Sequence, residues 1–310
     1  MTNDKKTKKA LVISGGGSKG AFAGGVAKYL IQEKKQDYDI IVGTSTGSLM
    51  VIHLALEKID EMQRIYSNIK QRSIFSNNPF FIKKIHGVKV IGIKHINTLW
   101  NFINGRKTFG ESKNLRKFIR KKITKEDFLK VKESDKEVIV TVSNLTENRV
   151  EYKSINDYNY EDFCDWIWGS CNYVPFMSLM VKNNCEYADG GFGDLVPIKE
   201  AILKGATEID VIILETETEH LSRMPSKNPF SLLSNVIEFM LDQIEQQNVN
   251  IGKLEAKHKN VKLNLYYTPT VLTTNSLIFD KKLMTKWWEM GYNYAKKKDL
   301  VEMNKIKTYS

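Results

Sequence analysis

Asp39-Ile40-Ile41-Val42-Gly43-Thr44-Ser45-Thr46-Gly47 is a short apolar run that ends abruptly in Gly-x-Ser-x-Gly. An apolar-periodic segment follows at once, carried by Leu49, Met50, Ile52, Leu54 and Leu56. The order reads as strand, sharp turn, helix. Gly43 and Gly47 flank Ser45 without side chains, so the turn can be tight and can hold Ser45 in a strained backbone conformation. Its hydroxyl would then stand at a helix N-terminus, the context of a nucleophile elbow. A plain helix cap made by Ser45 is the competing reading of the same residues.

Upstream, Ala10-Leu11-Val12-Ile13 reads as a buried strand that runs into Ser14-Gly15-Gly16-Gly17-Ser18-Lys19-Gly20. Ala21, Phe22, Val26, Ala27, Leu30 and Ile31 then recur at helical spacing. Backbone N–H groups of such a loop converge at a helix N-terminus, where the dipole favours negative charge. The loop is a cradle for an anion or an oxyanion. Gly15, Gly17 and Gly20 also satisfy Gly-x-Gly-x-x-Gly, so a dinucleotide site competes. That site wants an acidic residue about 20 positions on, ending the second strand. Asp37 and Asp39 instead precede the strand.

Downstream, strands are expected at Glu137–Val142, Arg149–Ile155, Glu208–Leu214 and Leu263–Tyr267, and helices between them. Such alternation predicts an α/β fold, a mainly parallel central sheet with helices on both faces. Tyr187-Ala188-Asp189-Gly190-Gly191 sets an acid in a glycine turn. Leu232, Leu233, Val236, Ile237, Met240, Leu241 and Ile244 mark a long amphipathic helix, and Trp287, Trp288, Met290, Tyr292 and Tyr294 a final one. Ser112 is expected to cap a basic helix whose apolar stripe (Leu115, Phe118, Ile119, Ile123) is wide enough to face a core. No internal repeat or dividing linker is visible. One domain over residues 10–300 is expected, with polar tails at 1–9 and 301–310 and a variable basic insertion at about 60–136.

With 42% hydrophobic and 10% aromatic residues, the chain can bury a sizeable core. The net charge is +11, and residues 83–136 hold 16 Lys and Arg against 5 Asp and Glu, so the rest is near neutral. A basic block of this kind attracts an anionic lipid surface or nucleic acid, or is simply a solvated face. No secretory h-region and no apolar stretch of about 20 residues is seen. Cys164, Cys171 and Cys185 are an odd set without metal-ligand spacing, which points to reduced thiols and the cytoplasm. The histidines (His53, His86, His95, His220, His258) are scattered and form no triad or ligand pattern.

Three signals stand in chain order: Gly15-Gly16-Gly17-Ser18-Lys19-Gly20, Gly43-Thr44-Ser45-Thr46-Gly47 and Asp189-Gly190-Gly191. Together they resemble the patatin-like phospholipase family. Gly169-Ser170-Cys171 through Pro175-Phe176 is similar to that family's Ala-Ser-x-x-x-Pro segment, and Asp194-Leu195-Val196-Pro197 to the stretch after its aspartate. Cys171 and Asn172 are departures. The resemblance implies a three-layer α/β/α fold and a serine esterase with a Ser-Asp dyad, Ser45 as nucleophile and Asp189 as base. It implies an oxyanion hole from Gly15, Gly16, Gly17 and Ser18, supported by Lys19, Gly20, Gly43, Gly47, Gly190 and Gly191. The absence of a histidine motif is then expected. The implied substrate is a phospholipid or lysophospholipid ester. No metal or cofactor is implied. Peripheral contact with an anionic membrane is expected and a nucleic-acid partner is not. A dinucleotide-binding module, or a catalytically silent regulatory one, is the alternative.

Overall fold

The computed structural model describes residues 7–85, 88–218, 225–226 and 228–309. Among the described residues the strands are β1 (Lys9–Ile13), β2 (Ile40–Thr44), β3 (Phe80–Ile85), β4 (Val88–Ile93), β5 (Glu137–Asn144), β6 (Arg149–Ser154), β7 (Met180–Lys182), β8 (Cys185–Asp189), β9 (Glu208–Ile212) and β10 (Lys262–Tyr266). The helices are α1 (Gly20–Lys28), α2 (Val51–Ala55), α3 (Ile59–Asn68), α4 (Gln71–Ile74), α5 (His95–Ile103), α6 (Lys113–Lys122), α7 (Lys125–Lys132), α8 (Tyr160–Ser170), α9 (Ile198–Leu203), α10 (Pro229–Lys259) and α11 (Lys281–Tyr309).

The main sheet runs β10-β9-β1-β2-β5-β8-β7, with β6 also on β5. Pairings from β10 to β5 are parallel, and β6, β7 and β8 pair antiparallel. The sheet is thus mainly parallel, as the alternation of strands and helices predicts. Successive strand residues point to opposite faces. Leu11, Ile13, Ile41, Val138, Val140 and Ile212 bury one face beneath α1, α2, α8 and α11. Ala10, Val12, Ile40, Val42, Ile139, Ile209 and Val211 bury the other beneath α9 and the second half of α10, through Ile198, Ala201, Val249 and Ala256. Three layers result, with a core on each side of the sheet.

The expected basic insertion at about 60–136 contains an antiparallel hairpin, β3 with β4, and helix α5. One expectation needs amendment. Ser112 stands at the N-cap position of α6 but makes no side-chain cap. Its Oγ donates to Asn172 Oδ1 at 2.6 Å and accepts from Trp168 Nε1 at 3.0 Å, so two buried partners outcompete the helix end. His86 and His220 lie outside the described residues. The apolar stripe of α6 is buried through Leu115 and Ile119. Its Arg116 and Arg120 grip Asp165 on α8 at 2.6 and 2.9 Å.

Candidate active site

β5 sets the geometry. Thr44, the last residue of β2, is in register with Thr141 on β5, and Asp189, the last of β8, with Val142. Ser45 and Asp189 therefore leave the sheet on either side of β5, one strand spacing from it each. The gap is closed by side chains: Ser45 Oγ donates to Asp189 Oδ2 at 2.7 Å.

Ser45 has φ of 53°, a left-handed backbone that a residue with a Cβ adopts at a cost. The surroundings hold it there. Ser45 N–H donates to Ser170 Oγ at 3.0 Å. The Ser45 carbonyl accepts from Ser48 Oγ at 2.6 Å and from Cys171 Sγ at 3.1 Å. Gly43 and Gly47 are required by space: a Cβ on Gly43 would lie 2.5 Å from the Gly47 carbonyl carbon, and one on Gly47 2.4 Å from the Ile13 oxygen. The short helix that begins at Ser45 is 3-10 rather than α, and α2 starts only at Val51.

Asp189 is buried, and burial pushes its carboxyl up to about 7, against the pull of hydrogen bonds from Ser45 and from Gly191 N–H at 2.8 Å to Oδ1. Gly190 passes close over β5, where its added Cβ would meet the Thr141 oxygen at 2.3 Å. Asp194 anchors the turn: Tyr152 donates to its carboxylate at 2.6 Å, and Thr44 Oγ1 to its carbonyl at 3.0 Å.

The glycine loop faces the dyad but is partly engaged. Gly15 N–H donates to the Leu195 carbonyl at 3.2 Å, and Ser18 N–H to the Ser276 carbonyl at 2.8 Å. Neither is an open donor, which corrects the expectation that all four loop residues serve the oxyanion. Gly16 and Gly17 N–H donate to no protein acceptor among the described residues. Gly17, at φ 54°, is in the left-handed region that suits glycine. Lys19 is buried and ion-paired with Glu215 just past β9, and Gly20 opens α1 against Thr46. Asp39 sits at the opposite end of the sheet from the loop, accepting from Lys9 N–H at 2.8 Å. It is out of reach of a dinucleotide on the loop.

A cavity of about 160 Å³ joins these parts. Ser45, Asp189 and the glycine loop form its floor, Phe80, Ile91, Leu115 and Leu277 its apolar wall, and Glu215 and Glu245 a polar end. Glu245 is buried, and its carboxyl is pushed up to about 8 by burial and then by Glu215. Among the described residues, no group of three or more His, Cys, Asp or Glu is placed to hold a metal ion. Sequence reasoning assigned no role to Ser170, Cys171, Glu215, Glu245 or the 273–279 loop. Only Ser170 and Cys171 carried a signal, their place in the segment before Asp189.

A family model described as patatin-like phospholipase matches residues 11–202. The chain belongs to this family. An uncharacterized protein of Acanthamoeba polyphaga mimivirus is 47% identical over 55 residues, 16% of this chain and 15% of that protein. The crystal structure of VipD from Legionella pneumophila is similar with a TM-score of 0.51 at 14% identity, covering 94% of this chain and 66% of VipD. The chain spans less than two thirds of the length of each, and the VipD likeness bears on the fold. Among the described residues, no helix is long and apolar enough to cross a membrane.

Proposed function

We propose that the protein is a serine acyl hydrolase that cleaves a carboxylic ester of a phospholipid or lysophospholipid through an acyl-Ser45 intermediate. The observation that carries this is the 2.7 Å hydrogen bond from Ser45 to Asp189 at the floor of a largely apolar cavity. A serine without an adjacent base is a weak nucleophile, and here the base touches the hydroxyl directly. With its carboxyl pushed up to about 7, Asp189 is far more basic than an exposed aspartate yet still ionised in a useful fraction at neutral pH.

In the first step Ser45 Oγ attacks the ester carbonyl carbon and its proton passes to Asp189. The negative charge that develops on the carbonyl oxygen is met by Gly16 and Gly17 N–H; one such donor is worth ~10²–10³ in rate in a serine hydrolase. The tetrahedral adduct collapses, the carbon–oxygen bond to the alcohol breaks, and Asp189 returns the proton to that alcohol. Water then attacks the acyl-serine, gives its proton to Asp189 and releases the fatty acid, and Ser45 is re-protonated. No histidine, metal or cofactor enters these steps. Lys19 and Glu215 brace the loop.

We take residues 10–300 as one catalytic unit and the cytoplasm as its place, which fits three unpaired cysteines. Ser45→Ala should lower hydrolysis of a phospholipid and of a soluble short-chain ester by about 10⁴-fold or more, with an unchanged circular dichroism spectrum. Turnover equal to wild type in that variant would refute the proposal.

A further inference from the structure

The first half of α10 is apolar on more than the side it packs: Phe230, Leu233 and Ile237 lie against the core, and Leu241 lines the cavity. Ser234, Glu238, Asp242 and Glu245 recur at helical spacing and line the cavity. Leu232, Val236, Phe239 and Met240 lie on the opposite side, all exposed, Phe239 at 59%. A helix packed on a core normally shows solvent a polar face instead. α5 repeats the pattern: Thr98 and Asn101 are buried, whereas Ile96, Leu99, Trp100 and Ile103 are exposed, Ile96 at 85% and Trp100 at 65%.

α5 is linked to α10 through Phe109, and α10 and the β3–β4 hairpin both line the cavity. Asn101 Nδ2 donates to the Phe109 carbonyl at 2.8 Å, and the Phe109 ring lies 5.5 Å from Phe230 at the start of α10. Ile82 pairs with Ile91 across the β3–β4 hairpin, so the face that carries Phe80 and Ile91 into the cavity wall continues outward to an exposed Ile82. At the hairpin the apolar surface thus continues the cavity lining outward. Contiguous exposed apolar surface of this kind marks a docking site.

Charge selects the occupant. Residues 80–110, which hold the β3–β4 hairpin and α5, contain six Lys and Arg and not one Asp or Glu. Lys83 is exposed over Phe81, and the exposed Arg106 and Lys107 pair with Glu111 and Glu186. A second copy meeting this face across a two-fold axis would set like charges together. A bilayer with anionic headgroups complements it, and exposed Trp with Lys and Arg suits the lipid–water boundary.

We propose that the outward faces of α5, the first half of α10 and the β3–β4 hairpin dock on an anionic lipid bilayer, setting the cavity mouth against it. This rests on the acyl-hydrolase reading for its purpose but is tested apart from it. Wild type, Ser45→Ala and the double variant Trp100→Ser/Phe239→Ser would be sedimented with phosphatidylcholine vesicles, with and without phosphatidylglycerol. Wild type and Ser45→Ala are expected to pellet with the anionic vesicles, less so in high salt. Each of the two apolar-to-serine changes should weaken partition by about tenfold. Soluble-ester turnover by the double variant should stay at the wild-type level while turnover of vesicular phospholipid falls with binding. The docking proposal is overturned if wild type stays in the supernatant with both vesicles, or if the double variant pellets as wild type does. It is also overturned, in favour of a second copy, if wild type is a dimer by light scattering and the double variant a monomer. Loss of soluble-ester turnover in Ser45→Ala reports separately on the hydrolase reading.

Discussion

Asp189→Asn removes a carboxylate that the fold holds at a disadvantage. In the unfolded chain this group ionises near its ordinary 3.8, and in the native protein at about 7. Between those values the native state holds a proton that the unfolded state has lost. The raised group therefore makes stability fall as pH rises from about 4 to about 7, and above 7 the whole penalty of keeping a buried aspartate ionised is present. Three units correspond to about 4 kcal/mol, of which about 3 kcal/mol accrues between pH 5 and pH 8. The substituted amide would keep an oxygen to accept from Ser45 and Gly191 but would not titrate. Urea unfolding of wild type and Asp189→Asn at pH 5 and pH 8 isolates the effect, because Asp194 and Glu245 titrate in both proteins and cancel in the difference. The variant should gain about 3 kcal/mol on wild type over this range. Parallel pH profiles would refute the claim that Asp189 is a buried, strained base. The same ionisation should shape catalysis: wild-type kcat/KM should climb with pH and level off above about 7.

Ser170→Ala leaves Ser45 N–H without its acceptor and loosens the elbow; kcat should fall by ~10–100-fold with little change in KM, and Ser170→Thr should restore part of it. Gly43→Ala drives a Cβ to 2.5 Å from the Gly47 backbone; a loss of about 2–3 kcal/mol in urea unfolding is expected, and unchanged stability would show that the turn is not tight.

What the sequence disclosed and what it concealed differ in range. The strand before Ser45, the two flanking glycines and the serine are contiguous, and their meaning is local: space for a tight turn. The same holds for the glycine loop after Ile13 and for Asp189 in its glycine turn. The sheet class followed from the alternation of apolar strands with helical periodicities. The state of the loop donors was out of reach, because Leu195 and Ser276, far along the chain, decide that Gly15 and Ser18 are engaged. Ser112 looked like a cap for the same reason that it is not one, since its tertiary partners Asn172 and Trp168 compete with the helix end. α10 shows the limit of periodicity. Leu232, Leu233, Val236, Ile237, Met240, Leu241 and Ile244 mark an amphipathic helix, but only the tertiary structure shows that Leu233 and Ile237 pack on the core, that Leu232, Val236 and Met240 face out together with Phe239, and that Glu238, Asp242 and Glu245 line the cavity.

The central claim is that Asp189 activates Ser45. Intact mass after incubation with a fluorophosphonate, on wild type, Ser45→Ala and Asp189→Asn, tests it most directly. One adduct on wild type, mapped to Ser45, absent from Ser45→Ala and greatly slowed in Asp189→Asn, is the predicted result. A folded wild type that stays unmodified, or an Asp189→Asn variant that reacts as fast as wild type, would contradict the account.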